Sequence, residues 1–447
     1  MTDVYQFIKH LDWDQLPKEV QKITTRCLLD TIGVAFAGVN TKAAKIAKEV
    51  AIEEFGANKK SCSRLIAFSG VSSVVGAAMA GGYLIDSVDA HDGHSMTKGH
   101  AGASVVPALI ALSDNLIWQG KLISGKMFLE ALLIGYEVSL RNGIILHKTS
   151  KEYHTSGAWT AIGIAAMASY LYQLSHKTTQ HALGIAEYNG PRSPMMRCID
   201  YPTMVKDGAG FGALAGVSAV SLARKGFTGG PPMGIESECE QDYFSRYEVL
   251  KQYFKPWPVC RWAHPAIAAV EKIMQIHTFK VKDIKNITIK TFHNATRLGN
   301  KHPKDTEQAQ YSLGFSVCAM LYFGKLTVKE VSGKSLSNSN IIELQKKLTI
   351  AEEETHSQAF PRNRFASVVV TMENGTVLNE SDVQAKGDYD HLSLTDKEIN
   401  DKFKLYSKGY LGKKKTKRMK KIIENLASKA DISELLDLIC TDSRKNN

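Results

Sequence analysis

The sequence lacks paired cysteines. Its seven cysteines are scattered along 447 residues, and they form no CxxC pair and no Cys/His ligand spacing. The sequence therefore predicts neither a disulfide framework nor a structural zinc site. The first 17 residues, MTDVYQFIKHLDWDQLP, are charged and lack the apolar core of a signal peptide. We therefore expect a reducing, cytoplasmic location.

Long hydrophobic runs are also missing. Residues 157–174 and 208–223 are uncharged, but they are rich in Gly, Ala, Ser and Thr. A membrane-spanning helix needs about 20 predominantly apolar residues, so these runs are better explained as buried core helices. The composition, with 44% hydrophobic and 23% charged residues, is that of an ordinary globular protein. We predict no membrane association.

Acidic residues are fewer than basic ones, at 45 Asp+Glu against 56 Lys+Arg, which gives a net charge of +11. The densest basic stretch, residues 413–421, contains no interleaved aromatic residues that could stack on bases. A run of this kind is usually a solvated helix face. We predict no nucleic-acid partner and keep an anion- or nucleic-acid-binding protein as the non-enzymatic alternative.

The hydrophobic pattern is helical from the start of the chain to about residue 268. It then changes, because residues 284–292 alternate as a strand, and Asn374-Gly375 is the commonest signal for a two-residue type I′ hairpin turn. Helical patterning resumes after Thr395-x-x-Glu398, which has the sequence of a capping box. The pattern indicates helices on both sides of a mixed segment.

These changes predict a mainly α fold. A chain of 447 residues typically forms two or three domains. We expect a large all-helical domain built from two chain segments, 1–268 and 392–447, and a smaller α+β lid domain inserted between them, 269–391.

Residues 84–112, LIDSVDAHDGHSMTKGHAGASVVPALIAL, are the most unusual stretch. They contain three carboxylates and three imidazoles: Asp86, Asp89, His91, Asp92, His94 and His100. Small apolar residues on both sides indicate buried helices, and ionisable groups next to low-dielectric packing tend to have shifted pKa values and to cluster at functional sites. A metal site or a structural loop would also fit, but the spacing does not match a zincin motif. We predict an acid–base or ligand-binding site without a metal.

Three candidate residues share one placement. His100, His154 and Lys206 each lie just before a buried, small-residue helix, where unpaired backbone N–H groups favour anions. Considered alone, a histidine such as His154 is more often structural than catalytic. The glycines after Lys206 could allow close helix packing instead of anion binding.

Lys255, Arg261 and His264 place three further cationic candidates within ten residues. They could form a basic face between domains or bind substrate carboxylates, for which arginine offers two parallel hydrogen bonds. Histidines and lysines with one prominent aspartate favour proton transfer on a small multi-carboxylate substrate, with no cofactor required. Spacing alone does not identify the reaction.

Six blocks of the sequence occur in a recognisable order: LLDTIGVAFAG (28–38), GHAGASVVPALIAL (99–112), GYEVSLRNG (135–143), LARKGFTGGP (222–231), KPWPVCRWAHPAI (255–267) and AQYSLGFSVCAML (309–321). As a set they resemble the MmgE/PrpD family, which includes 2-methylcitrate dehydratase, cis-aconitate decarboxylase and iminodisuccinate epimerase. The resemblance covers nearly the whole chain. It implies a large helical domain with an α+β lid, in a homodimer.

The resemblance also implies site residues. The implied catalytic positions are Asp89, His100, His154, Lys206 and Lys255. One of the two histidines would move the proton next to a carboxylate, and the two lysines would bind substrate carboxylates and offset the charge of an enolate-like intermediate. The candidate substrate-binding residues are His94, Arg261 and His264.

Three departures separate this chain from the decarboxylase branch of the family. Gly93 stands where that branch has a threonine, Phe315 stands where its SLPY-like block has a tyrosine, and the loop before His100 is one residue longer. Our leading hypothesis is a cofactor-independent, dehydratase-type lyase that acts on a small di- or tricarboxylate such as 2-methylcitrate. An iminodisuccinate-type epimerase is the first alternative, and a cis-aconitate decarboxylase is the second.

Overall fold

The computed structural model describes residues 3–232, residue 234 and residues 242–441. The predicted fold class is confirmed, since helices dominate and the strands are few and short. Within the described residues, no helix is both long and apolar enough to cross a membrane. The described cysteines are free thiols, and Cys239 lies outside the described residues.

The helices before residue 260 are α1 (Asp3–His10), α2 (Lys18–Gly38), α3 (Lys42–Glu54), α4 (Val74–Asp86), α5 (Gly102–Trp118), α6 (Gly125–Thr149), α7 (Gly157–Leu171), α8 (His176–Asn189), α9 (Met196–Asp200) and α10 (Ala209–Ala223). The later helices are α11 (His264–Ile276), α12 (His293–Thr296), α13 (Thr306–Gln310), α14 (Leu313–Phe323), α15 (Ser339–Lys346), α16 (Glu354–Ala359), α17 (Asp396–Glu424) and α18 (Ser433–Cys440).

The strands are β1 (Ser63–Arg64), β2 (Val71–Ser72), β3 (Gly93–His94), β4 (Gln252–Tyr253), β5 (Ile284–Thr291), β6 (Leu348–Glu352), β7 (Ala366–Met372) and β8 (Val377–Val383). The last four form one sheet in the order β6-β5-β7-β8, with β5 parallel to β6 and the other neighbours antiparallel. Ile289 pairs with both Ile350 and Val368. This sheet lies in the segment that was predicted to form the lid.

Two hydrophobic clusters form the core. The larger one draws its buried side chains from residues 4–254 and 394–440. The smaller one contains the sheet and the helices packed on it, from residues 257–385, together with Met195 and Ile199 of the first segment. The C-terminal helices therefore pack against the N-terminal part of the chain, although the segment that contains the sheet separates the two in the sequence.

Close helix packing brings two polar segments together. Helices α4 and α10 cross where a Cβ atom on Gly82 would lie only 2.7 Å from the Cα atom of Gly210. Only glycine allows this approach, because such a contact is far shorter than the usual separation between carbon atoms. The crossing places the end of α4, which leads to Asp89, next to the start of α10, which follows Lys206.

Three local predictions are wrong in detail. Residues 124–142 have the pattern of a long helix that Gly143 was expected to end. Helix α6 instead continues to Thr149, because the glycine makes room for Thr97 and Trp159, each within 2.9 Å of a Cβ atom placed there. The hairpin at Gly375 has a three-residue loop with a positive φ at Gly375 only, instead of a type I′ turn. The pairs β1–β2 and β3–β4 also interrupt a region that was expected to be wholly helical.

The predicted capping box is confirmed. Thr395 accepts from the backbone N–H of Glu398, and the Glu398 carboxylate accepts from the backbone N–H of Thr395. This reciprocal pair satisfies two backbone donors at the start of α17. It lies where the chain returns from the segment that contains the sheet to the larger hydrophobic cluster.

Candidate active site

The loop between α4 and α5 carries the Asp- and His-rich cluster into the protein interior. Strand β3 in this loop pairs with β4, with Gly93 opposite Tyr253, so the segment leading to Lys255 lies alongside the loop. Asp89 has a φ of +55°, a left-handed conformation that is uncommon for a residue other than glycine. Backbone strain of this kind is concentrated at functional sites.

Asp89 is an ion-paired carboxylate. Lys255 Nζ donates to Asp89 Oδ1 at 2.9 Å and to the backbone carbonyl oxygen of Asp89 at 3.1 Å. Lys206 Nζ lies 3.9 Å from the same carboxylate oxygen. Burial raises the pKa of Asp89, but the charges of Lys255 and Lys206 outweigh it and lower the pKa to about 2. Asp89 is therefore ionised, and it holds the Lys255 ammonium group in place.

Lys206 is a second buried ammonium group. Its Nζ donates to the backbone carbonyl oxygen of Asp86 at 2.7 Å and to Gln310 Oε1 at 2.6 Å. It also lies 5.6 Å from the ring centroid of Tyr311, within the range of a cation–π contact. Lys206 has a φ of +45°, so the site contains two strained residues. Backbone and side-chain oxygens of the protein hold the Lys206 side chain in place. Its ammonium group supplies positive charge behind Asp89.

His100 has the hydrogen bonding of a neutral base. Its Nδ1 lies 2.5 Å from the backbone carbonyl oxygen of Asp92. A carbonyl oxygen can only accept, so Nδ1 carries the proton and Nε2 keeps a free lone pair. Burial lowers the pKa of His100 well below its ordinary value, and the charge of Lys255 lowers it further. The ring is therefore uncharged, with Nε2 available to take a proton.

Asp207 is the acid that faces this base. Its Oδ2 lies 3.8 Å from His100 Nε2 and has no hydrogen-bond partner among the described residues. Its Oδ1 accepts from Ser156 Oγ at 3.2 Å, and the same hydroxyl oxygen accepts from the backbone N–H of His100. Burial, followed by the negative charges of Asp86 and Asp89, raises the pKa of Asp207 to about 8. At neutral pH the carboxyl group is therefore protonated.

Asp89, Lys255, His100 and Asp207 line one narrow cavity between the loop, the start of α10 and the segment that contains the sheet. Its lining residues are Asp89, Ser95, Lys98, His100, Tyr153, Met195, Ile199, Asp207, Tyr253, Lys255, Cys260, Arg261, Trp262, Tyr311, Phe360 and Arg364. The cavity holds about 20 Å³, which is room for one water molecule.

Four of the eight predicted site residues line the cavity: Asp89, His100, Lys255 and Arg261. Lys206 lies behind Asp89, outside the lining. Five of the eight predicted site residues therefore line the cavity or lie directly behind Asp89.

The other three predicted residues lie outside the lining. His94 is buried with its Nε2 3.4 Å from Glu248 Oε2. His264 is buried, with its Nδ1 3.2 Å from Arg261 Nη1, and it positions that guanidinium group. His154 is half-buried, and its Nε2 lies 3.0 Å from Ser150 Oγ. A substrate-contacting role for His94, His264 and His154 stays a prediction.

Asp89, His91 and His100 could each offer one ligand atom to a metal ion, and these atoms lie within 4.8 Å of one another. The Lys255 ammonium group, however, already lies 2.9 Å from Asp89 Oδ1. A metal ion at this position would be repelled by that charge or would have to displace it. The donor set therefore fits a metal poorly while Lys255 is in place.

Two buried residues beneath the loop hold it in position. Lys402, from the C-terminal segment, donates to the backbone carbonyl oxygen of Ala90 at 2.6 Å and forms an ion pair with Asp30 at 2.7 Å. Tyr136 donates its hydroxyl to Asp92 Oδ2 at 2.6 Å. The Ala90 carbonyl group and the Asp92 side chain are therefore held from below, on either side of His91 in the loop.

The structure gives a physical basis for two of the three departures from the decarboxylase branch, those at Gly93 and Phe315. A Cβ atom on Gly93 would lie 2.5 Å from the hydroxyl oxygen of Tyr253 and 2.7 Å from His100 Nδ1. Tyr253 therefore fills the space that a side chain at position 93 would need. Phe315 is fully buried in the smaller hydrophobic cluster, whereas the tyrosine that lines the cavity is Tyr311.

Asp207, Tyr253 and Arg364 are among the lining residues that the sequence interpretation missed. Asp207 follows Lys206 directly and precedes a buried helix, so its position alone was a usable signal. Tyr253 lies two residues before Lys255, just outside the segment that was already singled out. Arg364 comes from the segment that contains the sheet, and its contact with Ser95 joins residues 269 positions apart, which no local pattern reveals.

Comparisons with known proteins identify the family of this chain. The model of the MmgE/PrpD N-terminal domain matches residues 2–244, and that of the MmgE/PrpD C-terminal domain matches residues 257–428. The chain is 23% identical to the cis-aconitate decarboxylase-like protein oryM of Aspergillus oryzae, over 98% of this chain and 96% of that protein. It is 24% identical to the cis-aconitate decarboxylase of Homo sapiens, over 95% and 91% of the two chains, and 22% identical to that of Aspergillus terreus, over 98% and 95%. The two domain matches together span most of the sequence, so the chain belongs to the MmgE/PrpD family and is an enzyme of that family.

Proposed function

We propose that this enzyme is a dehydratase-type lyase for a small di- or tricarboxylate. It removes a proton from the carbon next to a carboxylate and expels the hydroxyl group of the neighbouring carbon as water. One observation carries the proposal: the neutral His100 Nε2 and the protonated Asp207 Oδ2 lie 3.8 Å apart on one cavity wall. A base and an acid at this separation can act on two adjacent substrate atoms at once.

The remaining groups have roles that follow from their charges. Lys255 binds the carboxylate next to the reacting carbon and stabilises the negative charge that develops there, while Lys206 adds positive potential from behind Asp89. His100 Nε2 takes the proton from carbon, and the electron pair of that C–H bond forms the double bond. Asp207 protonates the departing hydroxyl group. The proton on His100 then returns to Asp207, which restores both groups. No step in this sequence requires a cofactor.

The same separation argues against an epimerase that uses this pair. Inversion at one carbon needs two proton carriers on opposite faces, each about 3–3.5 Å from that carbon, so their reactive atoms would lie roughly 6–7 Å apart. His100 Nε2 and Asp207 Oδ2 are 3.8 Å apart. They approach the substrate from the same side, which suits elimination from adjacent atoms.

A cis-aconitate decarboxylase is the second candidate, because the relatives described above carry that name. Identities of 22–24% leave the substrate open. At position 93 this chain has no room for a side chain, and position 315 is a buried phenylalanine. Both features support the dehydratase over the decarboxylase.

Product identification in deuterium oxide tests the proposal. The enzyme is incubated with 2-methylcitrate, citrate and cis-aconitate, and products are followed by nuclear magnetic resonance. We expect loss of water from a hydroxylated substrate, with deuterium entering carbon in the reverse direction. Release of carbon dioxide would support the decarboxylase, and deuterium uptake with inversion and no loss of atoms would support the epimerase.

Matched lysine variants connect the reaction to the site. Lys255→Met should lower kcat/KM by roughly 10²-fold or more, because it removes a charge that stabilises the developing negative charge. Lys272→Met is the control, since Lys272 is half-exposed on the lid and lies 4.0 Å from Glu380. Equal losses in both variants would contradict the site. Sedimentation of the same preparations tests the homodimer that the family resemblance implies.

A further inference from the structure

Two arginines share one end of the cavity. Arg261, from the segment before α11, and Arg364, from the lid, both line it and are both buried. Their Cζ atoms lie 5.2 Å and 4.8 Å from the ring centroid of Tyr253, whose other contacts include the ring of His100 at 6.1 Å. The two guanidinium groups thus lie near the catalytic imidazole but belong to a separate part of the cavity wall.

One carboxylate serves both guanidinium groups. Asp388 Oδ1 lies 3.1 Å from Arg261 Nη2 and 2.7 Å from Arg364 Nη2. Two positive charges therefore share one negative charge, which leaves an excess of +1 at this end. Burial raises the pKa of Asp388. The charges of Arg261 and, next, of Arg364 outweigh burial and lower this pKa below its ordinary value. Asp388 is an ionised carboxylate held between two arginines, and a substrate carboxylate would be held in the same way.

Arg364 has hydrogen-bonding capacity to spare. Its Nη2 donates to Ser95 Oγ at 2.6 Å as well as to Asp388. Its Nε is buried and has no acceptor in the part of the chain that the structure describes. A buried donor without an acceptor costs free energy, so a ligand that supplies one gains affinity. Arg261 is anchored differently, because it also donates to the backbone carbonyl oxygens of Ala385 and Lys386.

We propose that Arg364 and Arg261 bind the substrate carboxylate that is remote from the reacting carbon, and that Asp388 occupies this position until substrate displaces it. This inference rests on the proposed function, because it names the second subsite of the same cavity. Arg364 belongs to the segment that contains the sheet, whereas Ser95 belongs to the loop that carries Asp89 and His100. A carboxylate held by Arg364 therefore lies where these two parts of the chain meet, and it requires a second acidic group on the substrate.

Binding measurements with two inert probes test the proposal. Succinate and butyrate have the same chain length, but butyrate has a methyl group in place of one carboxylate. We expect calorimetry to show that the wild-type enzyme binds succinate roughly tenfold or more tightly than butyrate. Arg364→Lys keeps the charge but loses the planar fork, and it should remove most of that preference. Arg297→Gln, in an exposed ion pair with Asp200, is the control and should retain it.

Asp388→Asn gives the sharper test, because it predicts a gain. Removing the competing carboxylate should tighten succinate binding several-fold, and the gain should disappear when Arg364→Lys is added. If the ion pairs of Asp388 with the two arginines were purely structural, Asp388→Asn would bind succinate more weakly, or its effect would not depend on Arg364→Lys. Three results would each overturn the proposal. The first is unchanged succinate affinity in Arg364→Lys, and the second is an equal loss of affinity for succinate and butyrate in that variant. The third is a loss of succinate affinity in Asp388→Asn.

Failure of this inference is separable from failure of the proposed function. Succinate binding that depends on Arg364, in an enzyme that eliminates no water from any tested hydroxy acid, would refute the dehydratase and keep the carboxylate subsite. Water elimination with succinate binding that is independent of Arg364 would do the reverse.

Discussion

Replacing Asp207 by asparagine separates the chemical role of this residue from its structural cost. The amide keeps nearly the same shape and can still accept from Ser156, but it cannot transfer a proton to a leaving group. Loss of a positioned general acid typically lowers turnover by roughly 10²–10⁴-fold. We therefore expect kcat of Asp207→Asn to fall within this range, with a smaller change in KM.

The same variant should be more stable than the wild type at alkaline pH. The pKa of Asp207 is about 8 in the folded protein against a reference value of 3.8, so the folded state binds the proton more tightly. The stability associated with this proton is complete below pH 3.8 and is lost as the pH rises through about 8. The full pKa difference corresponds to on the order of 5 kcal/mol, and part of it is shared with Asp86 because their charges repel each other. Asparagine does not titrate, so we expect Asp207→Asn to gain at least about 2 kcal/mol over the wild type at pH 9.

Two measurements check this reasoning. Urea unfolding at pH 5, 7 and 9 gives the free energy of unfolding, and wild-type turnover should fall as the pH rises through about 8. Asp200→Asn, which changes an exposed aspartate paired with Arg297, is the control. Unchanged kcat in Asp207→Asn would refute the acid role, and an unchanged or reduced stability at pH 9 would show that the pKa of Asp207 is not raised in the native protein.

Two further substitutions test how the loop is built. Lys402→Met leaves the buried carboxylate of Asp30 without its 2.7 Å partner, so the free energy of unfolding should fall by roughly 3–5 kcal/mol. Adding Asp30→Asn should recover part of that loss. If nothing is recovered, loss of the ion pair is not the cause. Gly93→Thr should lower turnover because its side chain would overlap Tyr253, and Tyr253→Val in the same chain should relieve the overlap. A fully active Gly93→Thr enzyme would show that the loop adjusts freely.

Much of the helical architecture could be predicted from the sequence, because buried helices leave a strong pattern. The small-residue runs before residue 224 predicted α7 and α10, which appear as Gly157–Leu171 and Ala209–Ala223. Gly143 misled the prediction because a helix interior tolerates glycine wherever a neighbour packs against it. The hairpin at Gly375 was located correctly, but its loop length depends on strand register, which two turn residues do not determine.

The candidate site was predictable where its residues carry their own signal. Asp89 and Lys255 stood out by residue type within apolar surroundings, and the structure places them 2.9 Å apart. Asp207 was missed because its role depends on the field of Asp86 and Asp89, which only the folded chain brings close. Arg364 was missed because its partners lie in another part of the sequence. Residue type therefore indicated the charged groups, and tertiary contacts decided which of them share a cavity.

The hydrogen bond from Lys402 to Ala90 has a consequence for the synthesis of the enzyme. The two residues are 312 positions apart, and the ion-pair partner Asp30 lies still earlier in the chain. At about 5–20 residues per second, a ribosome makes the loop on the order of 15 s to a minute before it makes the lysine that holds it. During that interval Asp30 has no countercharge from Lys402, and the loop lacks its support from below. A nascent chain that ends before α17 should therefore be inactive and sensitive to proteases, even though every residue that lines the cavity has already been made.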